Sequence, residues 1–241
     1  MSPGAASIAL SGAFLFSAAL THRAWTPPNP SPTHGSSSPS SSPLPKDDAG
    51  IIWRRAQTRR LVASILWLVH ALFTLFYPTP PTLFCPNPDN LSPILFTWTP
   101  FATAVIAIIA IAAPIRLLAF EQLGENFTFR LARPKTKRLV TTGLYRFVQH
   151  PSYPTNWLIL VANLALLLRL DGVLGCFLPN AVVKFAMGGG VWLGVLVGVG
   201  GLAMWGVWTR VKHEEAMLKE VFGKEWEEYH ARTKRFVPWV V

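Results

Sequence analysis

An all-α, polytopic membrane helix bundle is the fold class this sequence predicts, and three observations predict it. Apolar residues make up 51% of the chain and charged residues only 14%, where a soluble domain carries about 25% charge. The apolar residues fall in long runs instead of mixing with polar ones. The connectors between runs alternate in kind, one basic and the next nearly free of Lys and Arg, as cytosolic and lumenal loops do. The net charge of +10 therefore lies beside apolar runs, where it orients the chain and touches anionic membrane lipid. Nucleic acid, which asks for a basic face on a soluble fold, is not expected as a partner.

The elements follow in order, with about five transmembrane helices. Ala5–Leu20 is a short apolar run whose first positive residue, Arg23, comes after it. A signal peptide begins with positive charge, so residues 1–25 read as a retained N-terminal transmembrane helix starting in the lumen. Residues 26–50 hold TPPNPSPTHGSSSPSSSPLPKDD, a Pro/Ser-rich linker expected to be disordered, since it offers too little apolar surface to offset ordering. Residues 51–241 form the membrane domain. Its first run, Ile51–Tyr77, opens on Arg54, Arg55, Arg59 and Arg60, which mark a cytosolic end. His70 inside that run reads as a histidine bonded to a neighbouring helix. Pro78–Ser92 is a lumenal connector, and Ile94–Phe120 returns with Pro100 near its start and Pro114 near its end, the latter expected to kink it.

Glu121–Tyr153 is strongly basic and cytosolic. Thr155–Leu170 is a short apolar helix, Asp171–Asn180 a lumenal turn, and Val182–Trp208 the last crossing. Gly190, Gly194 and Gly198 recur every fourth residue there, a spacing that lets another helix approach closely. His213–Arg235 is predicted to be an amphipathic helix lying at the membrane surface or against the bundle, and it places the C-terminus in the cytosol. Cys85 and Cys176 then both fall in lumenal turns. A disulfide between them is open to an oxidising lumen, but the reading adopted is two free thiols. They form no metal motif, and no metal is expected.

Two stretches carry candidate chemistry. Arg210 and Glu214 lie four apart at the end of the last crossing and share one helix face. From spacing alone they read as a snorkelling arginine with its ion-pair partner. In Leu139–Tyr153, LVTTGLYRFVQHPSY, Pro151 suits the first turn of a new helix and sets His150 at its mouth, where backbone N–H groups lack partners. A polar loop rich in donors and rings, held between two apolar segments, binds something more often than it merely connects, and composition alone does not say what.

That stretch resembles the cofactor-binding segment of the isoprenylcysteine carboxyl methyltransferase family, membrane enzymes of the endoplasmic reticulum. RVKHEE (Arg210–Glu215) and the LKEVFGKEWEEYHARTKRFVPW that follows resemble the family's C-terminal segment. The resemblance covers roughly Leu123–Trp239. It implies S-adenosylmethionine as cofactor and methyl donor, and prenylated, CaaX-processed proteins as substrates, through the carboxylate of their C-terminal cysteine. It implies that Lys137, Arg138, Leu139, Val140 and Tyr145 line the cofactor and that His150, Pro151, Ser152 and Tyr153 continue that wall. It implies that Glu214 binds the cofactor, that Arg210 contacts the substrate, and, more loosely, that Arg130 is a polar cofactor contact. Gln149 departs from the family's usual Arg, Thr155 from a usual Gly, and Lys212-His213 from a more acidic pair. Phospholipid methylation, a sterol-reductase chemistry and a non-catalytic membrane scaffold are the alternatives. A lipid amine must be neutral to attack, which Arg210 disfavours, and no nicotinamide fingerprint appears.

Overall fold

The computed structural model describes residues 4–29, 49–127 and 138–238, with the backbone alone over 49–56. Residues 30–48 of the linker predicted to be disordered, together with Arg130 and Lys137, lie outside the described residues; of the rest, 26–29 are ordered, with Asn29 bonded to the end of α4, and 49–50 open α2. Among the described residues eight α-helices follow one another: α1 (Ala5–Ala24), α2 (Ala49–Phe76), α3 (Pro93–Phe96), α4 (Pro100–Leu123), α5 (Ser152–Leu167), α6 (Asn180–Met187), α7 (Val191–Phe222) and α8 (Lys224–Arg232). Among the described residues the one extended pairing is an isolated parallel bridge between Val148 and Lys234.

Helices α1, α2, α4 and α5 form the packed part of the bundle. Leu10, Phe14, Trp67, Leu95, Phe96, Ile109 and Leu166 are fully or almost fully buried at its centre. Several polar groups inside it are paired, as burial favours. Trp67 Nε1–H donates to Asn163 Oδ1 (2.7 Å), and Ser11 donates to the Ala71 carbonyl. His70 bonds the Leu95 carbonyl through Nε2 (3.1 Å) and stacks on Phe96, the neighbouring-helix role expected of it. Helix α4 starts at Pro100 behind a Thr99 cap and continues through Pro114 to Leu123.

Among the described residues, four helical stretches are long and apolar enough to cross a membrane: Ala5–Ala24, Gln57–Phe76, Pro100–Asn126 and Val191–Phe222. The predicted span at 155–170 is the one of the five that does not qualify. Helix α5 has 16 residues, about 24 Å at 1.5 Å per residue, against a hydrocarbon core of about 30 Å. The predicted crossing at Val182–Trp208 also differs. Gly189 and Gly190, both at positive φ, divide it into α6 and α7. Helix α7 then runs unbroken to Phe222, so the first part of the predicted interfacial helix is its last turns. Gly223, at φ 52°, ends it, and α8 supplies the amphipathic remainder.

The glycine spacing on α7 was expected to seat another helix, and it does not. A Cβ built at Gly194 or Gly198 meets no atom within 4 Å, and Gly190 is the helix cap. The glycine that does face a neighbour is Gly200, whose carbonyl accepts from Trp157 Nε1 on α5 (2.9 Å). The two cysteines, read as free thiols, are joined in a disulfide. Asn90 draws their loops together by donating to the Gly175 and Leu178 carbonyls, and Ser92 N–H donates to the Asp171 carbonyl. The sequence placed both cysteines in turns on the same side, but at a separation of 91 positions it did not show that those turns meet.

Candidate active site

At the other end of the bundle, the Leu139–Tyr153 stretch turns a corner into α5. Gly143 sits at φ +60°, and an added Cβ would lie 2.5 Å from the Gln122 side chain, so this turn requires glycine. The Gln122 carbonyl oxygen caps the turn by accepting from Leu144 N–H (2.8 Å). Tyr145 is buried, donates to the Ala119 carbonyl, and presents its own carbonyl to Tyr229 O–H (2.6 Å). Burial first, then the Glu214 carboxylate, pushes the Tyr145 phenol up, and burial does the same to Tyr229, so both remain neutral donors.

Pro151 caps α5 and Ser152 begins it. Both are buried. Arg116 on α4, only 4% exposed, organises this corner. Its Nη1 donates to Ser152 O and Oγ (2.7 and 2.6 Å) and its Nε to the Ala24 carbonyl (2.8 Å), tying α1, α4 and α5 together.

The two motifs meet through Tyr153. Arg210 Nε–H donates to its hydroxyl (2.8 Å), and that hydroxyl donates to Glu214 Oε2 (2.6 Å). The phenol thus bridges two residues that spacing alone read as an ion pair. His150 stands beside them, 4% exposed, with Nδ1 3.9 Å from Glu214 Oε1 and Nε2 3.7 Å from Glu215 Oε1. These are ion-pair distances and not hydrogen bonds, and Nε2 is buried with no hydrogen-bond partner.

A segment past α8 closes this end of the bundle. Gln149 N–H and His150 N–H donate to the Lys234 and Arg235 carbonyls (2.8 and 2.9 Å). Arg235 forms a two-pronged pair with Glu215 (2.6 and 3.0 Å) and lies over Trp208, and Phe236 packs near both Trp208 and His150. Gln149, the departure from the family's usual Arg, is 5% exposed. Its amide donates to the Thr233 carbonyl and its oxygen pairs with His230 Nδ1. A neutral side chain that both donates and accepts suits this seam. Thr155, the second departure, returns its hydroxyl to the Pro151 and Ser152 carbonyls.

The structure therefore gathers Tyr145, His150, Pro151, Ser152, Tyr153, Arg210 and Glu214 at one corner. Leu139 and Val140 lead into it half-buried, and Arg138 is exposed at its edge. Sequence reasoning missed Arg116, Glu215, Tyr229 and Arg235. Glu215 and Arg235 stood inside the quoted motifs, whereas Arg116 carried no signal beyond being a charge inside an apolar run.

The model of the isoprenylcysteine carboxyl methyltransferase family matches residues 104–187, from within α4 to the end of α6. The match contains the His150–Tyr153 corner and stops before Arg210. A probable protein-S-isoprenylcysteine O-methyltransferase of Oryza sativa subsp. indica is 27% identical over 138 residues, 56% of this chain and 60% of the relative. The protein-S-isoprenylcysteine O-methyltransferase of Schizosaccharomyces pombe is 26% identical over 148 residues, 60% of this chain and 52% of that one. The enzyme of the same name from Dictyostelium discoideum is 26% identical over 118 residues, 48% and 40%. The chain thus spans 60% or less of the length of these relatives. No solved structure matches it. The membrane-length helices and the corner geometry agree with these matches, which make the chain similar to the isoprenylcysteine carboxyl methyltransferase family over residues 104–187.

Proposed function

We propose that the protein methylates the C-terminal carboxylate of a prenylated cysteine, with S-adenosylmethionine as donor. The observation that carries this reading is the Arg210–Tyr153–Glu214 chain, which sets a cation and an anion side by side at the membrane rim. The residues at the corner fit the donor molecule. Buried His150 Nε2 lacks a partner within the protein, the rings of Tyr153, Trp208 and Phe236 surround the region, and aromatic faces attract a cation. S-adenosylmethionine, when bound, supplies an electrophilic methyl group. His150, Ser152, Tyr153 and Glu214 would hold it, with Lys137, Arg138, Leu139, Val140 and Tyr145 lining its approach.

A carboxylate is already ionised at neutral pH, so the acceptor needs no general base. It needs alignment, which is worth up to about 7–11 kcal/mol. Arg210 carries the planar donor fork that matches a carboxylate, and Tyr153 fixes that fork against Glu214. The Arg235–Glu215 clasp closes the cytosolic face and keeps out water, which strengthens every charge contact inside. A prenyl tail partitions into the bilayer at about 0.8 kcal/mol per CH₂, so an acceptor of this kind reaches a site at the lipid edge.

The disulfide and the basic corner lie at opposite ends of the bundle. This supports an oxidising lumen at one end and the cytosol at the other, as in the endoplasmic reticulum, with the C-terminus cytosolic. A radiolabelled methyl assay on the detergent-purified protein tests the reading, with farnesyl-cysteine and phosphatidylethanolamine side by side. Label on the farnesyl-cysteine carboxylate is the expected result, and label on the lipid amine alone overturns it.

A further inference from the structure

A cavity of about 640 Å³ opens at the same rim between the end of α1 and the end of α4. Leu117 and Phe120 form its apolar floor, and Pro27 and Pro28 cover it. That cover is fixed: Asn29 Nδ2 donates to the Gly124 and Phe127 carbonyls (2.7 and 2.8 Å), pinning the chain after α1 across the end of α4. Arg23 and Glu121 both line the cavity and both are exposed. Among the described residues neither has an ion-pair partner, although they border the same space.

Positive charge is in excess on the α2 side. Thr26, also in the lining, accepts from Arg60 Nη1 (3.0 Å). Arg59 lies over the Trp25 ring, 4.4 Å from its centre. The Nε atoms of Arg59 and Arg60 are shielded from solvent without a hydrogen-bond partner. Away from the rim, α4 turns Leu118, Ile115 and Ile111 outward, an apolar track toward the middle of the bilayer.

We propose that this cavity binds the headgroup of a phospholipid carrying both a phosphate and a primary ammonium, with Arg23 facing the phosphate and Glu121 the ammonium. The two unpaired charges of opposite sign match such a headgroup better than a purely anionic one. The apolar floor and track match a lipid better than a soluble phosphate compound. The ammonium would not be a methyl acceptor there. Arg116, bonded to Ala24 on one side and Ser152 on the other, stands between this cavity and Tyr153.

The test is native mass spectrometry of the full chain in mild detergent, offered equal phosphatidylethanolamine, phosphatidylcholine and phosphatidylglycerol, without S-adenosylmethionine. The wild type should retain phosphatidylethanolamine in preference to the other two. Glu121→Gln should lower its ratio to phosphatidylglycerol about fivefold, and Arg23→Ala should lower retention of all three by a similar factor, the scale of one exposed ion pair. Both residues are exposed, so unchanged melting temperatures should accompany these losses. Equal retention of the three lipids by the wild type overturns the proposal, as does a preference for phosphatidylglycerol or a Glu121→Gln ratio like wild type. The readout involves no methyl transfer, so it stands or falls apart from the proposed activity.

Discussion

At the end of the bundle that carries Cys85 and Cys176, two loops are joined by a covalent bond and by the Asn90 amide. At the end that carries His150, the loops are joined by side-chain hydrogen bonds and one two-pronged ion pair. The first end is fixed, and the second is held by contacts that break one at a time. The proposed function asks the site to admit a cofactor and a lipid-borne acceptor, and such a site belongs at the second, because segments that open are drawn from the less stable part of a fold.

Substitutions at the two ends should therefore behave differently. Arg210→Ala should cost about 10²–10³-fold in methyl transfer to farnesyl-cysteine, the scale of one lost charge-stabilising donor, while S-adenosylmethionine still binds by calorimetry. A variant that keeps full activity would remove Arg210 from the site. Tyr153→Phe deletes the bridge and should cost about 10–100-fold, from hydrogen bonds to charged groups worth about 1.5–3 kcal/mol. A rate like wild type would show that the bridge is ornamental. Arg235→Ala should act on closure instead of chemistry, raising KM for S-adenosylmethionine about tenfold, the loss expected of one partly exposed charge-assisted pair, with a smaller change in kcat. An unchanged KM would detach the C-terminal segment from the cofactor wall.

At the fixed end the sign reverses. Cys85→Ser should lower stability by about 2–4 kcal/mol, read as a lower melting temperature, and leave methyl transfer nearly intact well below that temperature. A large loss of activity there would mean that the two ends are coupled. The smallest effect concerns His230. Burial, only partly offset by Glu215, holds its imidazole below the ordinary value. A group lowered in this way supports the fold above its unfolded value and loses that support as pH falls. The exchange protection factors of residues 230–236, taken relative to the intrinsic amide rates, should fall modestly below about pH 6.5, and factors that do not change with pH would dismiss the His230–Gln149 contact as a fastener.

Much of this was legible in advance. The apolar runs marked the helices, and His150-Pro151 marked the mouth of α5, because proline speaks locally about backbone. What was not legible depends on distant partners. Whether α5 spans depends on where Leu168 ends it, which packing decides. The disulfide rests on Asn90 meeting carbonyls more than eighty residues away in sequence. Arg116 looked like a stray charge, yet its partners are the Ala24 carbonyl and Ser152. Gln149 looked like a lapse from a motif, yet the seam against Thr233 and His230 uses both ends of its amide.

Arg235 has a further bearing on assembly. It lies beyond the last helix, so α1 to α8 all precede it in the chain. A chain ending short of it would still have every one of those helices, yet His150 N–H would lack the Arg235 carbonyl. Closure of the corner is thus separate from formation of the helices, and waits on a single guanidinium reaching Glu215.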